Sequence, residues 1–328
     1  MGDGTGTSTT SQDVRTGDAT AGPLRTAVVY NPVRVEGLDE RRRVVEEALA
    51  AAGWPAPRWI ETTEDDPGAG QARQAVADGA QVVFACGGDG TVRSCIEGLA
   101  GGPGALAVLP AGTGNLLATN LGLPDDPAAG VRVVVERGRR RIDVGYVDGQ
   151  AFAVMAGIGF DAALLDDAST QLKARFGPAA YVVSALKHLR RHRIDVRIEL
   201  DDRPPMRRRV RSVVVGNVGR LQGGVLLLAD AEPDNGQMEV AVLAPRTLGD
   251  WAGTAWGVAR RRKHVPHLET FRASHVRVVA TEPHRRQLDG DVIERGRVLE
   301  VSISPAALDL CVPQPERSED LSEGSERL

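Results

Sequence analysis

The sequence predicts an α/β protein in two parts: an N-terminal α/β domain on a parallel sheet and a C-terminal antiparallel β-sandwich domain. Three observations predict it. From Thr26 to Pro110 short apolar runs alternate with amphipathic helical stretches, the pattern of a mostly parallel sheet covered on both faces. After about Asp143 the texture changes to short alternating runs separated by Gly-rich turns, which suits a sandwich. Two of the N-terminal apolar runs end in Gly-rich clusters, the place where open parallel sheets hold ligands.

The first strand is "AVVYNP" (27–32), followed by "LDERRRVVEEALAAAG" (38–53), a helix with Leu38, Val45, Ala48, Leu49 and Ala52 on one face and Gly53 as its stop. "RWIET" is the second strand, and "GQARQAVADG" the second helix. "QVVFAC" is the third strand, "VRSCIEGLAG" (92–101) a helix, and "ALAVLP" (105–110) the fourth strand. In the second half, "DVRIELDD" (195–202), "RSVVVGN", "MEVAVLA", "HVRVVAT" and "VLEVSIS" read as strands. Two helical stretches interrupt them, "AAYVVSALKHLRRH" (179–192) and "LGDWAGTAWGVARRRK" (248–263). Residues 1–23 and 313–328 are polar and read as disordered tails.

Composition excludes several classes. The 328 residues are 42% hydrophobic and 26% charged, a globular composition. A net charge of −4 gives no sign of a nucleic-acid partner. Basic runs at 137–141, 188–193, 207–211 and 260–264 read first as solvated faces. Cys86, Cys95 and Cys311 form no disulfide framework, which fits a reducing cytoplasm. No run reaches the roughly 18 apolar residues of a spanning helix, and the N-terminal segment is not a signal sequence. Gly6 stands where a myristoylation signal needs Ser or Thr, so membrane contact is expected to be peripheral. The six His show no metal-ligand spacing.

The segment "QVVFACGGDGT" (81–91) carries the chemistry. A plain turn needs one or two glycines; three let a bulky ligand approach the backbone. Gly87, Gly88, Asp89, Gly90 and Thr91 fall where a strand ends and a helix opens, so their amides can curl around an anion. The next strand ends in Gly112, Thr113, Gly114 and Asn115, a second such loop, and the first strand supplies Asn31. Each cluster alone could be a tight turn. Together, on successive strands, they suit a triphosphate, with Asp89 binding Mg²⁺ or taking a proton from the acceptor. The pattern is neither GxxxxGK[ST] nor GxGxxG. "LDGD" (288–291) is by itself a common turn, yet it is the other paired-carboxylate turn in the β-rich half.

"GGDGT" followed by "LPAGTGN" resembles the diacylglycerol kinase catalytic-domain family, which includes bacterial diacylglycerol kinases and sphingosine kinases. The likeness runs from about Leu24 to Val312 and includes "AGIGFDA" (156–162), "VGN" (215–217), "PDNG" (233–236) and "LDGD". It implies an ATP-binding α/β domain over 24–142, to which a last segment, 298–312, returns, and a β-sandwich lipid-substrate domain over 143–297. It also implies transfer of the ATP γ-phosphate to a lipid hydroxyl, diacylglycerol before sphingoid bases. The implied ATP site is Asn31, Pro32, Arg34, Thr63, the GGDGT residues 87–91 and Gly112, Thr113, Gly114 and Asn115. Asp289 is implied as base, with Asp291 and Asp89 near a catalytic Mg²⁺; some relatives give the base role to the Asp of GGDGT, and that alternative stays open.

The departures are specific. "NPVRV" keeps Asn31 and Pro32 but places Arg34 near the position of a phosphate-touching Ser-Gly pair. Leu116 and Thr119 stand where many members carry Asp and Arg. A structural Mg²⁺ at Asp234 and Asn235 is expected to be weak or absent, because Asn235 replaces an anionic ligand. The shorter Asp291 stands where the family has Glu. Asp289, ahead of Gly290, is expected to point its carboxylate outward into a cleft between the domains. An NAD kinase would share GGDGT but should carry an Asn-Glu pair, which this sequence lacks. A non-catalytic nucleotide- or lipid-binding module should show damaged loops or acids, and these are intact. The expected partners are a membrane lipid and an anionic membrane surface at the inner face, with room for a homodimer. Trp251, Trp256 and the basic run after them are the candidate docking helix.

Overall fold

A computed structural model of the chain describes residues 15–16, 22–159, 193–221, 226–260 and 265–313. The expected helix at 179–192, the "FDA" of 156–162, most of both expected tails and the basic residues 261–264 lie outside the described residues.

The N-terminal half contains β1 (Arg15–Thr16), β2 (Thr26–Tyr30), α1 (Leu38–Ala51), β3 (Arg58–Glu61), α2 (Ala69–Ala77), β4 (Val82–Gly87), α3 (Asp89–Leu99), β5 (Ala105–Pro110), α4 (Leu116–Leu121) and α5 (Pro127–Val135). Strands β5, β4, β2 and β3 lie side by side, all parallel. Alternation on β4 shows how the sheet is covered. Val82, Phe84 and Cys86 join Val45 and Leu49 of α1 and Val131 and Val134 of α5 on one face. Val83 and Ala85 join Ala72 and Ala75 of α2 and Cys95, Ile96 and Leu99 of α3 on the other. Both sides of the strand are buried, so it reads as one apolar run. The sequence reading did not anticipate α5, which starts where Asp126 accepts the Ala129 N–H and Pro127 takes the first turn.

The C-terminal half contains β6 (Gly138–Val147), β7 (Gln150–Phe152), β8 (Met155–Ile158), β9 (Ile194–Leu200), β10 (Met206–Val210), β11 (Ser212–Gly216), β12 (Met238–Leu243), α6 (Leu248–Ala259), β13 (Leu268–Ala273), β14 (His275–Leu288) and β15 (Asp291–Cys311). Its core is formed by side chains such as Phe152, Ile158, Ile198, Met238, Val278 and Leu299. The basic runs at 137–141 and 207–211 fall largely within strands β6 and β10, where Arg141, Arg207 and Arg209 are exposed, as a solvated face requires. Arg15–Thr16 correct one expectation, pairing with β6 inside a stretch expected to be disordered.

One strand ties the halves together. β15 starts in a hairpin with β14, crosses to β6, and ends parallel to β5 with Asp309 opposite Ala105. The tip of that hairpin rests on the carboxyl ends of β4 and β5: a methyl group on Gly290 would lie 3.7 Å from Leu116 Cδ1 of α4.

Candidate active site

All four parallel strands run the same way, so Tyr30, Glu61, Gly87 and Pro110 bring their following loops to one edge. Gly88 caps α3 in extended backbone, and Asp89 is already the first helical residue. The first-turn amides of a helix lack partners within it and carry partial positive charge, so this end suits a phosphate. The second loop packs directly on the first. Ala111 N–H donates to Gly87 O at 2.9 Å, and a methyl group on Gly112 would come within 2.7 Å of Gly88 Cα. Two backbones that close leave no room for a side chain on Gly112. Asn115 holds the loop by accepting the Gly112 N–H at 3.2 Å and donating to Gly112 O at 2.9 Å. Thr113 is exposed at the rim, and Gly114 is half-buried beside it.

The other expected ATP-site residues sit on the same edge in different roles. Asn31 shapes its turn, its side-chain oxygen accepting the N–H groups of Val33 and Arg34 at 3.0 and 3.1 Å. Pro32 and Arg34 are exposed beyond it. Thr63 is exposed after β3, and its hydroxyl accepts the Asp66 N–H at 3.0 Å. Thr91 is buried, its side chain filling the space where a Cβ on Gly87 would fall, 2.6 Å from its Oγ1.

Two acids meet here, one from the first loop and one from the β14–β15 hairpin. Asp89 Oδ1 accepts the Leu116 N–H at 2.6 Å, which joins the two loops through a charged hydrogen bond. Burial raises the Asp89 pKa, and the nearby Asp291 charge raises it further. Asp291 lies across from it, with its side chain 54% exposed and Oδ2 3.2 Å from Arg93 Nη2. Asp291 reaches the start of α3: a methyl group on Gly90 would lie in ordinary contact with its Oδ2, at 3.6 Å.

Asp289 departs from expectation. Its carboxylate turns inward, accepting the Ala153, Val154 and Met155 N–H groups at 3.1, 3.0 and 2.8 Å. The physical reason is the turn itself. Asp289 and Gly290 both take positive φ, 48° and 95°, as a two-residue hairpin requires, and this folds the side chain onto the β7–β8 connection. Burial outweighs the three donors and pushes its pKa up to about 6.

Arg93 was missed by sequence reading. It lies four residues after Asp89 on the same face of α3, donates to Leu288 O at 3.1 Å and meets Asp291. The signal was the i,i+4 spacing from the Asp of GGDGT, lost inside an apparently ordinary amphipathic helix.

The second expected metal site is closed. Asp234 receives Arg140 Nε and Nη2 at 2.7 and 2.8 Å, a two-bond fork that uses both carboxylate oxygens. Asn235 spends its side-chain oxygen on the Gln237 N–H at 2.9 Å. The carboxylate beneath them, Asp143, accepts the Gly236 and Ala306 N–H groups at 2.7 Å each. These donors do not fit a structural Mg²⁺, because a guanidinium already neutralises the one acid of the loop. Among the described residues no cluster of three or more His, Cys, Asp or Glu is placed to hold a metal.

Comparison with known proteins agrees with this geometry. Residues 25–147 match the diacylglycerol kinase catalytic domain, and residues 153–312 match the YegS C-terminal NAD kinase beta sandwich-like domain. A probable lipid kinase YegS-like protein of Pseudomonas aeruginosa is 35% identical over 262 residues, covering 77% of this chain and 83% of its own. A diacylglycerol kinase of Staphylococcus carnosus is 25% identical over 275 residues, covering 81% and 88%. The crystal structure of a diacylglycerol kinase from Bacillus anthracis shares the fold at a TM-score of 0.66 and 19% identity, over 88% of this chain and 97% of that one. The chain belongs to the lipid kinase family of diacylglycerol kinase catalytic domains and YegS-like proteins. It is a kinase of that family.

Proposed function

We propose that this protein transfers the γ-phosphate of ATP to the hydroxyl of diacylglycerol at a membrane surface, giving phosphatidic acid. The observation that carries the reading is the placement of Asp89 and Asp291 where two Gly-rich loops from β4 and β5 face the β14–β15 hairpin. Phosphoryl transfer is mostly positioning and charge stabilisation, which is what two anion loops beside a carboxylate pair supply. In this reading the amides of residues 87–91 and 112–115 cradle the phosphates, and Asp291, the more open acid, takes the proton of the acceptor hydroxyl. The hydroxyl oxygen bonds to the γ-phosphorus, the bond to the bridging oxygen breaks, and ADP leaves with that electron pair. Asp289 stands behind the turn as a buried acid that fixes the hairpin.

Mg²⁺ usually takes one or two protein carboxylates plus substrate phosphates, so Asp89 is the residue that would hold it. It would supply neutralisation of phosphate charge. No described helix is long and apolar enough to cross a membrane. Docking through α6 is supported by Trp256, which is 55% exposed, and by the Arg260 guanidinium 4.2 Å from its ring centroid.

The test is labelled phosphate transfer from ATP to vesicles carrying diacylglycerol, to a sphingoid base, and to NAD in solution. Transfer to diacylglycerol vesicles above the other acceptors supports the reading. Transfer to NAD alone would replace it with an NAD kinase, and ATP binding without any transfer would replace it with a binding module.

A further inference from the structure

We infer that Arg93 is the positioning residue that sets the acidic hairpin against the phosphate loops, an inference resting on the kinase reading of this site. Helix α3 begins at the first phosphate loop, and one turn later Arg93 projects from the same face as Asp89. Its guanidinium crosses to the β14–β15 hairpin. Nη1 donates to the carbonyl of Leu288 at 3.1 Å, and Nη2 lies 3.2 Å from Oδ2 of Asp291. Those two residues pair with each other on either side of the Asp289-Gly290 turn, so one rigid fork grips both strands at the tip.

The grip answers an electrostatic problem. Asp291 Oδ2 lies 3.6 Å from where a methyl group on Gly90, the neighbour of Asp89, would stand, so two carboxylates are brought close together across the site. Two like charges, one on each half of the molecule, would push the hairpin away from α3. Arg93 places a fixed positive charge on Asp291, and its side chain is only 19% exposed, so solvent screens it less than a surface pair. Asp89 is held from the opposite side by the Leu116 N–H at 2.6 Å. The separation of the two acids is therefore set by one bond to α4 and one fork from α3.

Arg93 touches no reacting atom, so its loss should appear in turnover and not in nucleotide affinity. Arg93→Gln is expected to lower kcat by roughly 10–100-fold, the scale of a small misplacement, with KM for ATP within about twofold. Arg93→Lys, which keeps the charge but not the fork, should recover part of that loss. In the double variant with Asp291→Asn, the two losses should fall well short of multiplying, because much of the effect of Arg93 passes through that carboxylate. Multiplying losses, or a raised KM with normal kcat, would overturn the inference.

A second readout needs no turnover. Amide hydrogen exchange at Asp289–Val292 should rise in Arg93→Gln and stay near wild type in Arg93→Lys. Unchanged exchange in Arg93→Gln overturns the inference whether or not the chain phosphorylates a lipid. Raised exchange in a protein that transfers no phosphate would instead sink the kinase reading and leave the strut standing.

Discussion

Arg93 and Arg140 each meet an aspartate of the C-terminal half, and the two meetings differ in a way that separates a working site from a structural one. Arg140 grips Asp234 with two bonds of 2.7 and 2.8 Å, and the side chains are 17% and 26% exposed. Both oxygens of that carboxylate are spent. Arg93 reaches Asp291 through one contact at 3.2 Å and gives its other donor to a backbone carbonyl. Asp291 keeps its second oxygen outside that contact and more than half its side chain in solvent. The same two residue types thus close one turn and leave the other available to a ligand. What decides is how many carboxylate oxygens the guanidinium takes.

The largest effect should come from the open pair. Asp291→Asn is expected to slow phosphate transfer by roughly 10²–10⁴-fold, the range for losing a general base, while ATP affinity changes little. Single-turnover transfer beside equilibrium ATP binding measures it. Normal turnover in Asp291→Asn with a dead Asp89→Asn would move the base to Asp89.

A smaller effect, on stability alone, should come from the closed pair. Arg140→Ala leaves Asp234 half-buried without its fork and should cost roughly 1–3 kcal/mol, as for lost hydrogen bonds to a charged group. In the wild type, Mg²⁺ without nucleotide should leave the melting temperature at this loop's contribution unchanged. The double variant Arg140→Ala with Asn235→Asp restores two free carboxylates, and Mg²⁺ should then raise its melting temperature. A wild-type protein strongly stabilised by Mg²⁺, with the effect lost in Asp234→Asn, would show that the fork yields to a metal.

These contrasts also mark what the sequence could carry. The parallel sheet was legible because β4 and β5 are unbroken apolar runs bounded by glycines, and their loops announced themselves by spacing. α5 was missed because "PAAGVRVVV" reads equally well as a strand, and its helix depends on the Asp126 cap and on packing under β5. β10 was hidden by three consecutive arginines, which look like a solvated run until β9 supplies the partner strand. At the site, residue types were readable but directions were not. The inward turn of Asp289 depends on a left-handed backbone and on three amides more than 130 positions away. Arg93 and Arg140 find their acids 198 and 94 positions away, separations that periodicity and local spacing do not encode.

The smallest effect concerns Asp289, which belongs to the open turn but is buried like the closed one. Its folded pKa of about 6 lies above the value of about 3.9 expected for an unfolded Asp. The folded state therefore binds the proton more tightly between those values. Its contribution to stability is complete below the unfolded pKa and is lost as pH rises through about 6. Wild-type protein in EDTA should accordingly lose stability between about pH 4 and about pH 7 in the amount that this group supplies. Asp289→Asn cannot titrate, so its stability should fall less steeply across the same interval. It should also start lower, because the amide nitrogen must face one of the three N–H donors now met by oxygen. Asp89, Asp143 and Glu239 shift in the same direction through burial, and they remain in both proteins, so the difference in slope isolates Asp289. Denaturant melts at a series of pH values measure it. Parallel slopes for the two proteins would mean that the three backbone donors cancel the burial, and that Asp289 is ionised in the fold as readily as in the unfolded chain.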